Sequence, residues 1–262
     1  MSKSTSQWWG EFEIPKDVWC SWQISLLHLY INRKANEWHI AWCRDEDSLS
    51  TELSCQLNDG KAPDLESMES ARFVIGGTHL DFSLELALAD RPVVARPDVP
   101  VSVPPGERAT LYVSSVIWIQ PTVSGSPLLD IPIYRPSDTW YGPNTREGEL
   151  CYFSLTRART IAQEATAYPH RATTPITVIN RSDEILRIER IRVPMPLLGL
   201  YLDKGGNFVT DSTTLTLNPD SEETRMHVED SNKHNGDYQQ VAPPRKAAKN
   251  GDFIETIASL FE

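Results

Sequence analysis

Val101–Gln120 reads VSVPPGERATLYVSSVIWIQ. Val101 and Val103 alternate with a polar residue and run into Pro104-Pro105-Gly106-Glu107. Proline presets φ at about −65° and glycine accepts positive φ, so these four residues form a turn. Thr110–Ser114 and Val116–Gln120 then supply the β-branched and aromatic residues that suit a pleated, half-buried surface. Short strands broken by proline and glycine turns are the pattern of a β-sandwich, immunoglobulin-like domains included, and Val93–Thr122 carries it most clearly.

The same period of two extends in both directions. Leu27, Leu29 and Ile31 alternate with His28, Tyr30 and Asn32. After Arg33-Lys34-Ala35-Asn36, Trp38, Ile40 and Trp42 alternate with His39 and Ala41. This is a hairpin with one apolar face. A polar, acidic connection spans 44–70, and strands resume at Arg72–Ile75 and at Leu80, Phe82, Leu84 and Leu86. Further on, Thr174–Ile179 and Ile185–Val193 flank the turn Asn180–Asp183, while Leu197–Leu202 and Phe208–Leu217 flank Lys204-Gly205-Gly206-Asn207. Arg157–Ala167 has a helical composition, but strands on both sides and Pro169 favour strand. The chain thus reads as all-β, with two tandem sandwich-like, immunoglobulin-like blocks at 8–120 and 121–217. A polar linker at 218–250 and a short helix at 251–262 follow. Asp252-Phe253-Ile254-Glu255 has the form of a capping box and puts Phe253, Ile257 and Leu260 on one helical face. So short a helix must dock, either on the parent sandwich or, through the linker, on a partner.

Composition narrows the function. A formal net charge of −11 over 262 residues argues against nucleic-acid binding, and Arg245, Lys246 and Lys249 form only a small basic cluster. The acidity also disfavours anionic membranes. No apolar run is long enough to cross a bilayer, and the first residues lack the pattern of a signal peptide, so the expected location is the cytoplasm. Four cysteines, Cys20, Cys43, Cys55 and Cys151, show neither CxxC pairing nor metal-ligand spacing. Six histidines (His28, His39, His79, His170, His227 and His234) never fall at HxH or HxxxH spacing; His28 and His39 could meet across their hairpin. No metal and no cofactor is expected. Trp8, Trp9, Trp19, Trp22, Trp38 and Trp42 crowd the start of the chain; on an apolar sheet face they read as core, and exposed they would stack on sugar rings.

The densest segment is Tyr134–Tyr152, YRPSDTWYGPNTREGELCY. Aromatics, both signs of charge, prolines and glycines in one window mark an ordered loop. Arg135, Arg146, Trp140 and Tyr141 could grip an anionic or planar group, or a protein partner. Alternatively Asp138 and Glu147 pair with Arg135 and Arg146, while Trp140 and Tyr141 pack a crossing between the two blocks. Glu147 and Glu149 would share a strand face at about 7 Å, but two carboxylates on one strand do not flank a substrate. No catalytic residue is assigned, and the segment is expected to be a binding surface or a structural crossing.

Several phrases, taken in order, resemble the prokaryotic domain-of-unknown-function family 432. They are Arg91-Pro92-Val93-Val94 with the VPPGE turn, Arg135–Pro143, Arg146–Tyr152, Tyr168–Ala172 with Thr174-Pro175, and Arg187–Ile191 with Leu200-Tyr201. The resemblance spans about Trp9 to Leu217 and implies no catalytic residue. It implies a non-enzymatic accessory role beside a mechanosensitive membrane channel, without insertion into the bilayer. The alternative is a ligand-binding or carbohydrate-active sandwich that uses the 134–152 loop.

Overall fold

The computed structural model describes residues 8–46, 50–57, 60–75, 81–142, 148–165, 168–218, 223–229, 237–247 and 252–256. The chain is all-β and sandwich-like. It divides into two compact units, Met1–Leu86 with Trp118–Tyr134, and Ala87–Ile117 with Arg135–Glu262. The expected boundary after residue 120 instead falls inside the strand Trp118–Val123. The apolar run Thr110–Thr122 looks like one local motif, yet its two halves serve different sheets. Arg108–Val116 pairs with Arg171–Asn180, whereas Trp118–Val123 lies beside Phe82–Ala87.

The first unit is a sandwich of two sheets. One is antiparallel, in the order Leu53–Gln56, Trp19–Ile24, Leu27–Arg33, Glu37–Arg44, Glu69–Val74. The other runs Gly10–Phe12, Phe82–Ala87, Trp118–Val123, Ser126–Pro127, with Ile131–Pro132 also on Trp118–Val123. Leu27, Leu29, Ile31, Trp38 and Ile40 are buried, as their alternation predicts. Aromatic rings from both sheets join the layers. Phe12 and Trp22 meet edge to face at 5.3 Å, Phe82 lies 6.2 Å from Trp22, and it stacks on Trp38 at 5.5 Å. Such contacts add geometric preference to a large buried area.

The second unit is organised by the strand Arg171–Asn180. Arg108–Val116 pairs antiparallel with it from Val116↔Arg171 to Arg108↔Ile179 and so occupies one edge along almost its whole length. Two parallel partners, Phe208–Thr210 and Ser212–Leu217, therefore share the other edge, at Ala172–Thr173 and Ile176–Asn180 respectively. They are consecutive in sequence and act as one bent strand broken at Asp211. That carboxylate is buried and accepts the Gly199 N–H at 2.6 Å. Each half carries its own outer tier. Leu200–Asp203 and then Tyr238–Ala242 flank the first half; Glu223–Glu229 and then Asp252–Thr256 flank the second. The eight strands are thus five deep. At the far end Asn180 is fully buried, and its amide donates to the carbonyls of Val103 and Glu184 at 2.8 Å each. Gly106 N–H donates to the Asn180 carbonyl, and Glu107 N–H to that of Pro104. Gly106 sits at φ +77°, which is the conformation that requires glycine in this turn.

Three expectations are corrected. The segment read as a linker contains the strands Glu223–Glu229 and Tyr238–Ala242. The segment read as a helix contains the strand Asp252–Thr256, whose backbone bonds to the ladder of Glu223–Glu229. A capping box is a local signal worth about 1 kcal/mol, and a waiting sheet edge overrides it. Phe253 therefore lies in a strand, and Ile257 and Leu260 lie outside the described residues. Arg157–Ala167, expected as a strand, makes isolated bridges at Ala158 and Arg159 and then one helical turn, Ala162–Ala165. Arg159 exchanges both backbone bonds with Tyr112, which ends the extended run. Replacing Trp38 with Ala should remove a stacked core ring and cost about 3–5 kcal/mol in urea unfolding, with little change in slope.

Candidate functional site

Ser137–Tyr141 and Glu149–Phe153 form an antiparallel hairpin, in register from Ser137↔Phe153 to Tyr141↔Glu149. The strand Val93–Ala95 pairs parallel with Glu149–Phe153, and Ile191–Val193 pairs antiparallel with Val93–Ala95. Three stretches that are distant in the chain, the hairpin, Val93–Ala95 and Ile191–Val193, thus make one four-stranded sheet. Each of its strands overlaps one of the phrases that carry the resemblance.

Arginines clamp the hairpin from outside it. On one face Tyr152 donates its hydroxyl to Asp90 at 2.9 Å. Arg91 lies over the Tyr152 ring at 5.2 Å and reaches Asp138 at 3.3 Å. Burial and the Asp90 carboxylate push the Tyr152 phenol up to about 12, so it stays a donor. On the other face Arg192 grips Glu149 at 2.6 Å, and Arg190 lies over the Tyr141 ring at 5.5 Å. Tyr141, Cys151 and Val94 form a buried cluster there. A guanidinium stacked on a ring keeps its in-plane donors aimed at a carboxylate, which suits it to this role better than an ammonium.

The expected pairs are therefore replaced. Asp138 is held by Arg91 and not by Arg135, which is exposed; Glu149 is held by Arg192. Arg146 and Glu147 lie outside the described residues. Tyr141 is buried, but Trp140 stays 38% exposed. Its cross-strand neighbour Leu150 is 41% exposed, so the two present an apolar pair to solvent. Gly148 makes room for this arrangement, because a Cβ there would strike the Trp140 ring and come within 2.8 Å of the Tyr141 carbonyl. Asp90, Arg91, Arg190 and Arg192 were missed as members of the site. Their only signal was repeated arginine beside proline or branched apolar residues, which does not say what it faces.

Other candidates resolve differently. Trp22 and Trp38 are core, as the alternation implied. His28 sits opposite Cys43 and His39 opposite Asn32, so the two histidines do not meet. His28 bonds Asp45 at 2.7 Å. His39 bonds Glu37 at 2.9 Å, and Arg72 and His39 together hold the Glu37 carboxyl down to about 2. Among the described residues no group of three histidine, cysteine or carboxylate side chains could hold a metal ion. A groove of about 670 Å³ in the first unit is lined by Glu11, Glu13, Asp81 and Glu85. In the second, a cavity of about 200 Å³ lies beside Tyr168 and the buried Arg171. Arg171 donates to the side chain and carbonyl of Ser114 at 2.9 Å. No helix among the described residues is long and apolar enough to cross a membrane.

The fold and this sheet define an all-β protein of two sheet-rich units with an arginine-clamped hairpin. The chain belongs to the family described as protein of unknown function (DUF432), which it matches over residues 8–261. No curated protein and no solved structure matches it.

The two readings of the arginines separate in a stability measurement. Arg192→Ala should cost about 1 kcal/mol, since it removes a largely buried side chain together with its pair to Glu149, while Arg135→Ala should stay within about 0.5 kcal/mol. His170 tests burial in the same unit. Desolvation, reinforced by Arg171, holds its imidazole down to about 4 from an ordinary 6.5. The unfolded chain binds that proton more readily, so stability is complete above about pH 6.5 and lost as pH falls towards 4. Between about pH 7 and 4.5 the wild-type thermal midpoint should fall more steeply than that of His170→Gln.

Proposed function

We propose that this protein is a non-enzymatic interaction protein whose partner docks on the hairpin of Ser137–Tyr141 and Glu149–Phe153. The observation that carries the reading is the exposed cross-strand pair of Trp140 and Leu150 on a hairpin clamped from both faces. Trp is over-represented among the anchors that dominate binding energy, and a rigid support lowers the ordering cost of presenting it. Every carboxylate described on the hairpin is engaged by an arginine, which suits orientation better than proton transfer. A cytoplasmic accessory role fits the acidic composition, and the mechanosensitive channel implied by the family resemblance is the first partner to try.

The test is affinity purification of the tagged full chain from its native host, beside Trp140→Ala and Leu150→Glu. Both substitutions are at exposed positions and should leave the thermal midpoint within about 2 °C. The expected result is a partner captured by the wild type and reduced at least about tenfold in each variant. Undiminished capture would remove the hairpin from the proposal.

A further inference from the structure

A second surface of the same unit has a different chemistry. The segment after Tyr152 runs parallel to the one after Val93. Ser154 N–H donates to the Val94 carbonyl and Ala158 N–H to that of Arg96, both at 2.8 Å, and Pro97 bridges to Ala158. An ion pair between Asp98 and Arg159 ties the two loops side by side. Between those points the 152–159 side carries extra residues. Ser154 folds them into a tight turn through its hydroxyl and Thr156, so Leu155 and Arg157 stand out from it.

On these joined loops three large apolar side chains face solvent: Val99 at 73% exposure, Leu155 at 46% and Ile161 at 50%. Single exposed apolar residues are ordinary, but these three stand on, or two residues beyond, two segments whose backbones are bonded to each other. Arg96 and Arg157, on the same two segments, are exposed, and neither has a carboxylate partner among the described residues. Arg96 is stacked over the Phe153 ring at 5.6 Å, which holds its guanidinium in place. The loops carry three arginines against the single Asp98, in a chain with 36 acidic and 25 basic residues. The patch is thus opposite in charge to the molecule that carries it.

We infer that this patch adsorbs to an anionic membrane surface, with Val99, Leu155 and Ile161 entering the headgroup layer and Arg96 and Arg157 meeting lipid phosphates. Apolar side chains projecting singly from loops suit a fluid interface, and guanidinium forks match phosphate oxygens. An acidic surface elsewhere on the chain is repelled by the same lipids, so adsorption is oriented. The contact is peripheral and needs no spanning segment.

The test is co-sedimentation of the full chain with vesicles of phosphatidylcholine and phosphatidylglycerol in equal parts, and with phosphatidylcholine alone. The expected result is pelleting with the anionic vesicles only, lost when salt is raised to about 0.5 M. Arg96→Glu with Arg157→Glu should lower the partition at least about tenfold. Leu155→Ser with Arg157→Gln, both exposed, should weaken it without changing thermal stability, and Trp140→Ala should pellet as the wild type does. Equal pelleting with neutral vesicles, no pelleting with anionic ones, or wild-type pelleting by the arginine variant overturns the inference. It also falls if vesicles are ignored while the arginine variant loses a soluble acidic protein, because the surface then serves that protein.

Discussion

A strand has two edges, and in Arg171–Asn180 both are occupied, one by a single partner and the other by two. Arg108–Val116 fills one without a break, and every other strand of that sheet lies on the opposite side. There the chain supplies a strand too bent to be a single ladder. It is hinged at Asp211, whose carboxylate leaves the ladder to cap Gly199. Two short tiers grow outward from the halves instead of one long one. The arrangement also places Asn180 where the strand ends, tying together three segments that share no strand.

The hairpin that focuses attention in the sequence depends on a related constraint. Its own charged residues do not satisfy one another. Arginines from the two neighbouring segments do so, one over each face, and on each face a guanidinium stacks on a ring while a carboxylate is gripped. Because the partners enter from different strands, the hairpin cannot shift along its neighbours without breaking contacts on both faces. A loop held this way can offer an aromatic side chain to solvent at low entropic cost. The buried cluster of Tyr141, Cys151 and Val94 supplies the apolar floor.

Local features were legible in the sequence. The alternation over Leu27–Trp42 puts Trp38 and Ile40 inside, and Lys204–Asn207 turns tightly with Asp203 accepting from Gly205 and Asn207. The turn at Gly106 was read correctly, but its flanking strands pair with other segments and not with each other. That distinction is invisible to periodicity, since a period of two specifies a buried face and not a neighbour. The same limit accounts for Asp252–Thr256, whose capping box describes the isolated segment, while an available ladder decided its conformation. At the site, Trp140, Tyr141 and Glu149 were singled out, and their arginine partners were not. A salt bridge between segments forty or more residues apart leaves no spacing to recognise.

Neither compact unit is a continuous stretch of chain. The polypeptide leaves the first after Leu86, returns at Trp118 and leaves again after Tyr134. On the ribosome the first sandwich therefore lacks an inner strand until Trp118–Val123 has emerged, by which time Arg108–Val116 is already waiting for a partner about sixty residues away. An unpaired strand of nine residues is a template for the wrong neighbour. Completion of the first unit and exposure of the second are thus locked together during synthesis. A polypeptide severed anywhere between Ala87 and Tyr134 would leave both halves with a raw edge.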